Sequence, residues 1–179
     1  MLYQEIIEVS NPGLPEPVNH AHIQHSAIDA SADIGRSAAL RWSEIAQNTV
    51  IGEAARIEHS SVGSSSVVGF WTSVIGTRIG SRTTIGSWCE LSDSSVEGGC
   101  QIADFVEIRS GVRIGRGTQI GKNTKIYAHA EIGKHVVIGE NCRIQGGAKI
   151  ADGSIIGAGV TVRPHTEIPS GSTVSCGVI

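Results

Sequence analysis

From Ile102 to Val174 every sixth residue is aliphatic, thirteen in succession and eleven of them isoleucine. Isoleucine or valine falls at a given position about one time in seven, so the run is a structural period. Six is neither the 3.6-residue period of a helix nor a simple alternation. It fits a short strand followed by a turn, with three such sides closing an 18-residue coil. Stacked coils then pair as parallel strands about 4.8 Å apart. Residues two before each aliphatic position are small or β-branched: Cys100, Val106, Val112, Thr118, Thr124, Ala130, Val136, Cys142 and Ala148. Alternate strand residues point the same way, so both columns are expected in the core. Cys89, Cys100 and Cys142 fall in the second column and read as small buried hydrophobes.

The column three residues after each isoleucine, from Gly111 to Gly171, holds only glycine, asparagine and histidine. These residues tolerate positive φ best, so the column marks the corners. His129, His135 and His165 thereby acquire a conformational explanation. The earlier half of the chain steps by six, six and five, through Ile28, Ile34, Leu40, Ile45 and onward to Val96. The coil there is 17 residues long, with one corner shortened. Its corners carry Ser37, Ser65, Trp71, Arg82, Trp88 and Phe105 in place of glycine. The expected architecture is all-β: a parallel β-helix of about nine coils over residues 23–179. Residues 1–22, with Pro12, Pro15 and Pro17, are expected to form an N-terminal arm or cap.

The net charge of −3 gives no reason to expect a nucleic-acid partner. No apolar run approaches the roughly 18 residues of a membrane span. Met1–Glu8 lacks a basic-then-apolar leader pattern, and the expected location is the cytoplasm. The four cysteines show no Cys-x-x-Cys spacing, which argues against a zinc ribbon or a redox pair.

Blocks such as Ile114-Gly115-Arg116-Gly117-Thr118-Gln119 and Ile138-Gly139-Glu140-Asn141-Cys142-Arg143 resemble the hexapeptide-repeat acyltransferase family along residues 23–174. That resemblance implies a left-handed β-helix, a homotrimer and transfer of an acyl group from acyl-CoA (acetyl-CoA) to a sugar or nucleotide-sugar hydroxyl or amine. It also implies a histidine general base and no metal. Ala128-His129-Ala130-Glu131-Ile132-Gly133 is similar to a family signature whose histidine is the base, one residue shorter and without its aspartate. His59, two residues after Ile57, is the second candidate. Phe105-Val106-Glu107-Ile108-Arg109 and its sequel resemble a nucleotide-sugar acetyltransferase domain, in which a catalytic histidine stands where this chain has Lys122.

Ile156-Gly157-Ala158-Gly159-Val160 resembles the coils over which the family lays the pantetheine arm, with Arg163 placed for a CoA phosphate. Trp71, Trp88 and Phe105 recur at 17-residue intervals and should stack, forming an interface or a platform for a sugar or base. Arg109, Arg113, Arg116, Lys122, Lys125 and Lys134 form a basic set suited to a phosphate-bearing small-molecule acceptor, with Arg109 and Lys122 the candidates for substrate binding. Two other readings stand beside this one. The chain is a non-catalytic β-helix scaffold, or a metal protein like the γ-class carbonic anhydrases. His20, His22 and His25 read as a solvated polar start to the first coil, with adventitious metal binding by neutral imidazoles the lesser alternative.

Overall fold

The computed structural model describes residues 21–179; the expected arm over residues 1–20 and His20 lie outside them. Twenty-seven strands of two or three residues follow one another with no helix among the described residues. They form three nine-stranded parallel sheets, each strand pairing with the strands of the preceding and following coils. Sheet A begins at His22–Gln24, sheet B at Ala27–Ile28 and sheet C at Asp33–Ile34. The register is regular: Ile108 pairs with Ile126 and Ile126 with Ile144 in sheet A, and Ile120 pairs with Ile138 in sheet C. The nine coils expected from the period are therefore present.

Both inward columns are buried from Ala38 to Val162, with Ile126, Val136, Cys142 and Ile144 fully excluded from solvent, and are more open in the end coils, where Ile23 is exposed. The polar members of the second column have a role beyond filling space. Thr118 and Thr124 donate to the carbonyls of Gly133 and Gly139 at 2.8 and 2.9 Å. The thiols of Cys89, Cys100 and Cys142 donate to Ala103, Gly115 and Gly157 at 3.1, 3.2 and 3.1 Å. Threonine and cysteine in this column therefore fill the interior and also give partly buried corner carbonyls a donor, which valine cannot do.

Burial pushes the Cys89 thiol up to about 11 and raises those of Cys100 and Cys142, since desolvation disfavours the thiolate. Cys176 alone is exposed. A disulfide reagent should therefore titrate one thiol per native chain and four after denaturation. Rapid reaction of two or more thiols in the native protein would contradict this packing.

The shortened corner lies between sheets A and B. In the 18-residue coils the extra residue closes a turn there, and the amides of Val112 and Ala130 bond back to Arg109 and Tyr127. The 17-residue coils lack that turn. A ladder of hydroxyls replaces it: Ser26 accepts from the Ser43 amide, Ser43 from Ser60, Ser60 from Thr77 and Thr77 from Ser94, at 3.0–3.3 Å. The ladder stops at Ser94, where the coil lengthens and Val112 takes the position.

Candidate functional site

Three corners per coil stack into three edges, which we call A–B, B–C and C–A after the sheets they join. All three contain residues with positive φ. The C–A edge carries Ser37, Ala54, Trp71, Trp88, Phe105, Asn123, Asn141 and Gly159, at φ of 55–72°. The A–B edge carries His25, Trp42, His59, Gly76, Asp93, Gly111, His129, Gly147 and His165. His135 stands on the B–C edge with Arg82 and Gly117. Histidines six residues apart therefore lie on different edges, and His129 shares its edge with His59 and His165, not with His135.

The structure gathers most of the sequence-derived candidates around sheet A. On the C–A edge the Trp71 and Trp88 rings stack at 5.4 Å, 6° from parallel. Trp71, Trp88 and Phe105, with Phe70 in the same turn as Trp71, remain 53–59% exposed. Lys122 lies farther along this edge, 3.5 Å from the Asp104 carboxylate. Gly157, Ala158 and Gly159 follow two coils later. A Cβ at Gly157 would lie 2.6 Å from the Ser175 carbonyl, whereas one at Gly159 would meet nothing within 4 Å. Gly157 is thus explained by coil stacking, and Gly159 borders open surface that a ligand arm can approach.

On the A–B edge His59 stacks on Trp42 at 4.9 Å, and Trp42 on His25 at 5.6 Å. His129 is exposed, and its backbone amide bonds to the Ser110 carbonyl at 3.0 Å. Its ring lies over Gly111, where a Cβ would come within 2.3 Å of Nδ1. His165 covers Gly147 and His135 covers Gly117 in the same manner. Glycine one coil earlier is what lets each imidazole lie flat against the edge. Among the described residues, none of the His59, His129 and His135 rings has a hydrogen-bond partner, and no three His, Cys, Asp or Glu side chains converge as metal ligands.

Between these edges, sheet A presents an ionic network. Glu58 is held below the ordinary carboxylate range chiefly by its hydrogen bond from Arg56, at 2.9 Å, with Arg41 at 3.5 Å. Partial burial pushes the Glu107 carboxyl up, but Lys125, at 3.0 Å, and Arg109 together outweigh it and the net direction is downward. Arg109 also lies over the Tyr127 ring, 5.8 Å from its centroid. Arg163 ends the same sheet at its last coil, with its amide bonded to the Ile179 carbonyl at 2.6 Å. Sequence reasoning chose most of these residues individually. It missed Tyr127 as the partner of Arg109 and Glu107 as the partner of Lys125, because pairs 18 residues apart are recognisable only once the coil is closed.

This geometry is that of a stacked hexapeptide repeat, and comparison with known proteins agrees. Residues 117–164 match the model for the bacterial transferase hexapeptide (six repeats), as overlapping matches to 117–152 and 129–164. No curated protein matches the sequence. Among solved structures, a UDP-N-acetylglucosamine acyltransferase superposes with a TM-score of 0.74 at 15% identity, covering 93% of this chain and 70% of its own. LpxA from Acinetobacter baumannii gives 0.65 at 19% identity, covering 88% and 71%. The Arabidopsis UDP-N-acetylglucosamine acyltransferase gives 0.56 at 14%, covering 86% and 70%. The matched stretch is about a quarter of the chain, its stacked parallel coils continue on both sides of that stretch, and at these identities the likeness to the solved structures is one of fold.

Proposed function

We propose that the protein is an acyltransferase that moves an acyl group from acyl-CoA to a hydroxyl or amine of a sugar or nucleotide-sugar, acting as a cytoplasmic homotrimer. The observation that carries this reading is the convergence of candidate groups on sheet A and its two edges, on a fold shared with sugar-nucleotide acyltransferases. The C–A edge supplies flat, exposed indoles suited to the apolar face of a sugar or base. Gly159 and the neighbouring Gly157 and Ala158 leave a smooth surface for the pantetheine arm, and Arg163, without an ion pair among the described residues, is placed for a CoA phosphate. Arg109 and Lys122 flank the acceptor, held in place by Glu107 and Asp104.

His129 is the proposed general base, with His59 the alternative. The acceptor oxygen or nitrogen attacks the thioester carbonyl while the imidazole removes its proton. The resulting tetrahedral oxyanion collapses with cleavage of the C–S bond, and the imidazolium returns the proton to the leaving thiolate. No covalent enzyme intermediate or metal is needed. A neighbouring protomer of the trimer would supply the second wall of the cleft, and with it the hydrogen-bond partner that the His129 ring lacks among the described residues.

The test is thiol release from acetyl-CoA and longer acyl-CoAs with UDP-sugars as acceptors, read by a chromogenic disulfide. Acceptor-dependent release with a stoichiometric acylated product is expected. Absence of release across the donor and acceptor panel, from protein shown to be trimeric, would overturn the proposal in favour of a non-catalytic scaffold. That alternative draws on the unpartnered imidazoles of the A–B edge.

A further inference from the structure

The B–C edge, opposite sheet A, carries a charge arrangement that acyl transfer does not use. The chain has 14 lysines and arginines. Seven of them (Arg41, Arg56, Arg109, Arg113, Lys122, Lys125 and Lys149) form ion pairs with carboxylates. Of those without a pair among the described residues, Arg78, Arg82, Arg116 and Lys134 stand on sheet B or the B–C edge within four coils. Arg78, Arg116 and Lys134 line one shallow groove with Gly80, Ser95, Glu97 and Gly98.

The outward column of sheet B shows why these cations stay free. Its paired register runs Arg78, Ser95, Arg113, Glu131, Lys149, Glu167. From Arg113 onward the signs alternate, and the charges neutralise each other: Arg113 with Glu131 at 3.0 Å, Lys149 with Glu167 at 3.1 Å. One coil earlier an acid at position 95 would complete the alternation between Arg78 and Arg113. The residue there is serine. Glu97, the one acid in the groove, is already engaged: its Oε2 accepts the Arg116 amide at 2.9 Å. Asp152 accepts the Lys134 amide at 2.7 Å in the same way. Both carboxylates thus fix the backbone beneath the cations and form no ion pair with their side chains. Gly80 and Gly98 keep the floor free of side chains.

We propose that this groove is a binding site for a diphosphate-bearing ligand, with Arg116 and Lys134 on one side, Arg78 on the other and Ser95 as a hydroxyl donor between them. Arg116 and Lys134 sit in consecutive coils, about 4.8 Å apart along the stack, and Arg78 lies two coils before Arg116. Cations spread over that span suit two linked phosphates better than one. Arginine forks and a lysine point charge are the usual recognition groups for such oxygens. The proposal does not rest on the acyltransferase reading, because binding is measured without an acyl donor.

Titration calorimetry of the full chain with inorganic pyrophosphate at low salt tests it. Saturable one-to-one binding is expected, weakening as salt is added and weaker still for orthophosphate. Replacing Arg116→Ala and Lys134→Ala together should weaken it at least tenfold, while Arg36→Ala with Arg143→Ala, which removes the same charge elsewhere, should leave it unchanged. Both variants are exposed replacements, and equal melting temperatures will show that each is folded. No saturable heat with pyrophosphate, equal loss in both variants, or orthophosphate binding as tightly as pyrophosphate would each overturn the assignment. Competition by uridine diphosphate or by coenzyme A then identifies which diphosphate source the groove takes, and failure of both to compete would also count against it.

Discussion

Asparagine in place of His129 is expected to lower the turnover of acyl transfer by about 10²–10⁴-fold, the usual contribution of a positioned general base. Asparagine is chosen because His129 adopts a φ of 60°, and Asn123 and Asn141 hold 56° and 59° on the C–A edge. The replacement therefore keeps the backbone and removes only the base. KM for acceptor and donor should change little, and the loss should appear in kcat. His135→Asn, on the B–C edge, should keep full activity. If His129→Asn is as active as the parent while His59→Asn is not, the base is His59, beside Trp42 and Glu58. If neither variant loses activity, neither His129 nor His59 is the base.

The second large effect concerns a glycine that needs no unusual φ. Gly139 follows an inward isoleucine, and a Cβ there would meet the Ala158 amide nitrogen at 2.6 Å and its Cα at 2.9 Å. Those atoms belong to the backbone of the next coil and can move only by opening the stack. Gly139→Val is expected to cost about 3 kcal/mol, at the upper end for overpacking. That corresponds to a fall in melting temperature of about 2–4 °C per kcal/mol for a chain of this length. Gly153 offers the contrast: φ is 69° and the space beyond it is empty, so Gly153→Asn should stay within about 0.5 kcal/mol. Indistinguishable denaturation midpoints for the two variants would refute the close-approach argument.

The period of six made the core, the coil count and the positive-φ corners legible, since each follows from one residue's own column. The reason for Gly115, Gly121 and Gly139, each after an inward isoleucine, is hidden in the sequence, because the atoms that forbid a side chain lie 18 or 19 positions away. The histidines show the same limit. A single corner column in the sequence becomes three edges once the chain closes, which sets His129 apart from His135 and brings it into line with His59. The basic set divides likewise: Arg109, Arg113, Lys122 and Lys125 are neutralised by neighbours in register or in the same turn, and Arg116 and Lys134 are not. The stack of Trp71 on Trp88 follows directly from their 17-residue spacing, because that spacing is the coil itself.

The ladder from Ser26 to Thr77 has a consequence for how the molecule can change. Each hydroxyl is both the brace of its own coil and the socket for the next amide, so the ladder can be lengthened only by whole units of 17 residues. Beyond Ser94 the permitted unit becomes 18. The boundary near Ser94 is therefore a seam between two coil lengths, and a coil added to either half has to carry the length of that half to keep its corner in line.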